Sequence, residues 1–147
     1  MNNNKIGEIK YLFISSNKEN KRLSKQKILV DTKGIVDDKF YNTNKERSIL
    51  LTSLYAYKLM KEKNIFATHG QLGENILVDF NPYELESGTQ LSIGETILEI
   101  TIECTICNFL TKINNKVPKL LKNDRGVFAK VIKGGTISIN DSIEIKN

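Results

Sequence analysis

Two cysteines, Cys104 and Cys107, lie in the stretch EITIECTICNFL at residues 99–110, and they are the only thiols of the chain. This spacing can serve a dithiol redox pair, half of a metal cage, or one reactive thiol beside a bystander. A redox pair of this kind works best where the first thiol opens a helix, whose dipole favours the thiolate. In thioredoxin-like proteins the pair joins a strand to a long helix within a βαβ pattern. Here a strand-like run precedes the cysteines and an irregular, Lys-bearing segment follows, with no βαβ unit around them. A zinc site needs three or four N, S or O ligands, and beyond the cysteines the only nitrogen ligand is His69, so zinc is not indicated. Burial as small packing residues is the remaining role for both thiols, since cysteine is among the most buried residue types.

Two further stretches carry chemistry-bearing types. In THGQLGENILVDF, Gly70 and Gly73 permit a tight turn, and Glu74 and Asn75 enter the strand that follows. By itself this is the entrance to a hairpin. In NDRGVFAKVIKGGTISINDSIEI, Arg125, Lys130 and Lys133 place cations around strand ends, where a bidentate Arg holds phosphate or carboxylate. The alternation of Val127, Ala129 and Val131, with Gly134 and Gly135 after it, reads as an amphipathic hairpin.

The elements that must position these groups are mostly strands. Runs at 6–16, 27–30, 47–52, 74–80, 89–94, 95–103, 126–134, 136–139 and 141–146 are rich in β-formers and separated by Gly, Asn, Asp or Pro. Ser53 caps one predicted helix over 53–64, with Leu54, Tyr57, Ala56, Leu59 and Met60 on its apolar face. The Lys-heavy run NKENKRLSKQ reads as a loop, as does 31–47, and a short helical turn or loop is expected around Val117 and Pro118. Short strands at regular spacing argue for a closed or partly closed β-barrel with a few short helices, in one domain spanning 1–147.

Composition narrows the function class. Hydrophobic residues make up 39% and charged residues 27%, ordinary globular usage rather than that of a disordered chain. The start MNNNKIGEIK lacks a signal peptide's apolar core, and no apolar run approaches the ~20 residues of a membrane span. The expectation is a cytoplasmic protein without a membrane partner, in which thiols stay reduced. A net charge of +5, from 22 basic and 17 acidic residues, favours anionic partners. Nucleic acid is the lesser of these, for want of an aromatic stacking platform.

Taken in order, GEIKYLFISSNK, KGIVDDKF, ERSILLT, GQLGENI, LSIGETILEITIEC and DRGVFAKVIKGGTISINDSIEI resemble the MOSC domain, the C-terminal module of molybdenum-cofactor sulfurases, over about residues 5–145. The resemblance implies a β-barrel with a cleft for the molybdenum cofactor, a pterin dithiolene bearing a phosphate. It implies that Cys104, at the end of LEITIEC, matches the thiolate that ligates molybdenum or carries sulfur as a persulfide, with Cys107 an auxiliary thiol or bystander. Arg47, Arg125 and Lys130 are the candidates for a basic surround to that thiolate and to the cofactor's phosphate. Asn75 is a further cofactor-binding candidate, although Glu74 and Asn75 are better suited to shaping the turn.

Two departures bear on the site. The family usually shows Gly-Asp-Lys-His where this chain has VDDKF, so Asp37 replaces the Gly and Phe40 replaces the His, which removes an imidazole. The usual Gly-Asp near the C-terminus is Asn140-Asp141, a change that Asn tolerates in a left-handed turn. The expected function is cofactor binding or sulfur carriage through Cys104. Its enzymatic form would reduce N-hydroxylated substrates with electrons from a partner protein, because no flavin or nicotinamide fingerprint is present. The alternatives are a non-catalytic docking module for cofactor-biosynthesis proteins and a thiol-redox protein.

Overall fold

Seven strands close on themselves. The computed structural model describes residues 4–16, 21–104 and 108–146, with backbone alone at 108 and 109. Along the chain run β1 (Lys5–Ser15), β2 (Arg22–Lys25), β3 (Lys27–Asp31), β4 (Gly34–Ile35), β5 (Ile49–Ser53), α1 (Leu54–Glu62), β6 (Ile76–Val78) and β7 (Gln90–Ile93). They are followed by β8 (Thr96–Glu103), α2 (Val117–Leu120), β9 (Val127–Lys133), β10 (Gly135–Ser138) and β11 (Ser142–Ile145). The barrel order is β11-β7-β8-β9-β5-β6-β1, closed by the pairing of β1 with β11. Closure leaves these strands no free edges to aggregate.

Alternation sets which side chains fill the interior. In β9, Val127, Ala129 and Val131 are buried while Phe128 and Lys130 are half-buried on the other face. The inward residues join Ile9, Leu12, Leu51, Ile76, Leu98 and Ile143 in one core cluster. Each Leu or Ile so buried contributes about 1.5–3 kcal/mol relative to exposure. Leu77, between the inward Ile76 and Val78, turns outward and is covered by Ala56, Tyr57 and Met60 of α1 together with Val117 and Leu121 around α2. The expected helix is therefore present, and Ser53 caps it by accepting a hydrogen bond from the N–H of Tyr55 at 2.9 Å. The short helical turn expected near Val117 is α2.

Four features differ from the sequence expectation, the first being that the expected loop at 31–47 contains β4, paired with the end of β3. The Lys-heavy loop contains β2, which pairs antiparallel with the last third of β1 (Leu12↔Lys25 to Ser15↔Arg22); long-range pairing overrides a composition that looks solvated. The segment at 70–78 is not a hairpin: β6 runs parallel to β5, joined through α1, so the barrel contains one βαβ crossover. Nor do β9 and β10 form a hairpin. β10 leaves the barrel to pair with β3, in a three-stranded sheet of order β10-β3-β4. Gly134 permits this crossing, since a Cβ there would stand 2.5 Å from the carbonyl oxygen of Val30.

Among the described residues four non-glycine positions, Asp37, Asn42, Asn64 and Asn140, adopt left-handed conformations. Asp37 has φ 74° and Asn140 has φ 76°, and these are the two positions where the resembled family carries Gly. The backbone demand is kept, and short polar residues meet it.

Candidate functional site

Cys104 sits just past the end of β8, 3% exposed. Its N–H donates to the carbonyl oxygen of Gly126 at 2.9 Å, which pins the thiol beside the entrance to β9. Gly126 has φ 128°, and a Cβ on it would lie 2.3 Å from the carbonyl oxygen of Leu51, so no other residue fits there without displacing β5. The preceding residue, Arg125, is 1% exposed, and its carbonyl accepts from the hydroxyl of Thr52 at 3.0 Å.

Both residues line a cleft of about 590 Å³ at the barrel end where β1 and β8 finish and β5 and β9 begin. Four cations share that lining, Arg22, Lys39, Arg47 and Arg125, and among the described residues no Asp, Glu or His does. The volume is within the range of small-molecule sites. Leu50 and Phe128 give the wall apolar surface.

Each cation is aimed by its own support. Arg22 Nη1 donates to Ser15 Oγ at 2.7 Å, its Nη2 donates to the carbonyl of Glu74, and its guanidinium lies 6.0 Å from the centre of the Phe13 ring. Burial pushes Arg22 below its usual pKa and Arg125 adds to this, whereas Glu74, Asp38 and Tyr57 oppose it. Lys39 follows Asp38, which is buried and accepts from the N–H of Ser15 at 2.7 Å and of Phe40 at 3.1 Å. Those bonds fasten the loop after β4 to the end of β1, and the N–H of Lys39 in turn donates to Ser15 O at 2.9 Å. Arg47 is exposed and sits 5.7 Å from the centre of the Phe128 ring.

Behind the cleft wall lies a buried polar knot. Glu74 is fully buried; its Oε2 accepts from Tyr57 Oη at 2.6 Å and from the N–H of Gly70 at 2.9 Å. Burial, and then Glu74, push the Tyr57 hydroxyl far above the ordinary phenol value, so it stays a donor. Asn75 joins β1 to β5: its Oδ1 accepts from the N–H of Leu50 at 3.0 Å and its Nδ2 donates to Phe13 O at 3.2 Å. Its side chain thus builds the wall, and it also faces the cleft.

Of the residues singled out in the sequence, Cys104, Arg47, Asn75 and Arg125 come together here. Lys130 is not part of the lining: it pairs with Glu46 at 3.4 Å and Glu99 at 3.5 Å, and the field of Glu46 raises its pKa. Cys107 lies outside the described residues. Phe40, half exposed, stands in the cleft lining where the resembled family has His. His69 packs between Tyr11 and Tyr57, with ring centres 4.6 and 4.9 Å away. Arg22 and Lys39 escaped sequence reasoning because each stands in a run of charges with no period to mark an inward face.

The MOSC domain model matches residues 38–144. The chain belongs to the MOSC domain family. Solved structures similar to this MOSC protein include the YuaD protein from Bacillus subtilis, with a TM-score of 0.80 at 17% identity, covering 95% of this chain and 94% of that one. YiiM from Geobacillus stearothermophilus has a TM-score of 0.75 at 12% identity, covering 97% and 76%. YiiM from Escherichia coli has a TM-score of 0.69 at 16% identity, covering 95% and 70%. These identities speak for a common fold. No curated protein matches the chain. No helix among the described residues is long and apolar enough to cross a membrane.

Proposed function

We propose that this MOSC protein binds the molybdenum cofactor in the cleft, with the Cys104 thiolate as the protein's contact to the metal. The observation that carries the reading is the placement of the Cys104 sulfur in a wall that, among the described residues, is shared by four cations and no carboxylate. Among the described residues no three His, Cys, Asp or Glu side chains converge as a metal cage. A metal here would draw on Cys104 and on donors that arrive with it, which suits a metal already held by a dithiolene. Bound there, the cofactor would supply a redox metal for reducing N-hydroxylated compounds, with electrons from a partner protein.

The chain's own contributions follow from its side chains. Arg22 and Arg125, which line the same cleft as the thiol, would favour its thiolate form. Arg47 and Lys39, toward solvent, are placed to meet the phosphate, which a guanidinium grips with two parallel N–H bonds. Leu50 and Phe128 offer apolar surface to a ring system. The same thiolate would carry sulfur if the protein works as a carrier, and its 3% exposure would shelter a persulfide from solvent reductants.

The test is elemental analysis for molybdenum on protein purified anaerobically from a cofactor-producing host, beside Cys104→Ser. Stoichiometric metal in the parent and none in the variant, at unchanged melting temperature, is expected. Full retention of molybdenum by Cys104→Ser excludes the ligand role.

A further inference from the structure

We propose that the groove between α1 and the chain that turns back along it, residues 65–69, docks a segment of a partner protein in which an apolar anchor is flanked by carboxylates. The groove holds about 360 Å³, and Leu54, Ile65 and Ala67 give it an apolar lining. Phe66, in the same lining, is 76% exposed, the most exposed large apolar side chain among the described residues. Its position is fixed from both sides. Asn64, with φ 61°, reverses the chain after α1, and the N–H of Ile65 donates to the Met60 carbonyl at 2.9 Å. Further on, the His69 ring packs edge-on against Tyr57, and the N–H of Gly70 donates to Tyr57 Oη at 3.0 Å. The segment so fastened holds Phe66 in solvent, where an apolar ring gains nothing until a partner covers it.

Charge says what kind of partner fits. Lys58 and Lys61 line the groove, and neither makes an ion pair among the described residues. No carboxylate lines it there, and across residues 54–69 Lys63 adds a third cation against the single carboxylate of Glu62. A segment bearing Asp or Glu beside its anchor complements this rim. The concave shape favours a polypeptide over a membrane leaflet, which would meet Phe66 but not Ile65, 7% exposed. On the cofactor reading, and resting on it, the partner is the protein that brings electrons to the cleft. His69 lines the groove and its neighbour Gly70 lines the cleft, so a protein seated in the groove stands against the cleft wall.

The experiment pans the full chain against a phage-displayed library of random peptides and measures the selected ones, synthesised, by fluorescence anisotropy. Enriched peptides are expected to pair an aromatic or Leu anchor with flanking Asp or Glu. Phe66→Ala is expected to weaken them about tenfold, as truncation of an interface anchor does. Lys58→Gln combined with Lys61→Gln is expected to weaken them about tenfold at low salt and less at high salt. Both variants should keep the parent's melting temperature and its molybdenum. No enriched peptide, enrichment of uncharged or basic ones, or equal binding to Phe66→Ala would overturn the proposal. So would binding to phosphatidylglycerol vesicles, or a concentration-dependent dimer, that Phe66→Ala abolishes while the peptides do not compete. Because the peptides need no metal, their selection by a protein that holds no molybdenum keeps the docking site and removes its electron-donor role. Molybdenum bound with no peptide selected sinks the docking site and leaves the cofactor reading standing.

Discussion

The Cys104 N–H donates to the carbonyl oxygen of Gly126 at 2.9 Å, so the thiol that ends β8 and the guanidinium that precedes β9 reach the same cleft. A single backbone bond thereby couples the thiol to the cation, and both adjoin a glycine whose replacement would push a Cβ into the β5 backbone.

Gly126→Ala should therefore cost about 2–4 kcal/mol, because it combines a strained φ with a Cβ driven into the β5 backbone. Urea denaturation checks this, and a midpoint equal to the parent's would refute it. Molybdenum retention should fall with it even where the variant folds, since Arg125 and Cys104 would no longer be held in place.

Tyr57→Phe removes one of the donors to the buried carboxylate of Glu74. The expected loss is about 1–3 kcal/mol, the usual cost of stripping a partner from a buried polar group. Tyr41→Phe supplies the comparison: its hydroxyl donates to Asp31 at 2.6 Å in a solvent-accessible setting, and its loss should be the smaller of the two. Thermal melts of both variants decide the order.

Arg47→Gln and Lys130→Gln separate the cleft from the rest of the basic surface. Arg47 lines the cleft, so its loss should weaken cofactor retention about tenfold. Lys130, paired with Glu46 and Glu99 outside the lining, should leave retention unchanged. Equal effects in a gel-filtration assay of bound molybdenum would remove the distinction.

Acid should destabilise the protein through carboxylates that are bonded in the folded state. Hydrogen bonds from Lys5 and then Lys10 hold Glu8 below its ordinary value, and the Tyr41 hydroxyl and then the Lys33 N–H do the same for Asp31. A depressed folded pKa means stability that is present above the unfolded value and lost as pH falls through the folded one. The loss should begin near pH 4, the ordinary carboxylate range, and continue below it. Lys5→Gln combined with Tyr41→Phe should flatten that part of the stability profile, which chemical denaturation across acid pH would reveal.

Local sequence carried much of the fold. The alternation in GVFAKVIKG placed β9 within a residue of its ends, and Ser53 before LYAYKLM marked the start of α1 through a cap that forms as expected. Asn140 in a left-handed turn was legible for the same reason, since φ preference is a property of one residue and its neighbours. The strand β2 was not legible, because nothing in RLSK distinguishes a paired edge from a solvated loop until β1 lies beside it.

For the site, sequence alone determined that residue 104 is a thiol at the end of an apolar strand, that an Arg-Gly pair precedes β9, and that phenylalanine stands at 40 instead of histidine. Tertiary structure decided which charges share the cleft with that thiol. Arg22 enters through the pairing of β2 with β1, Lys39 through the Asp38 bonds to Ser15 and Phe40, and Lys130, two residues beyond Phe128 on the same face of β9, is drawn to Glu46 and Glu99 instead. A charge's neighbours depend on barrel closure, which brings positions 22, 47, 104 and 125 together across more than half of the chain. Periodicity reports only which way a side chain faces along its own strand.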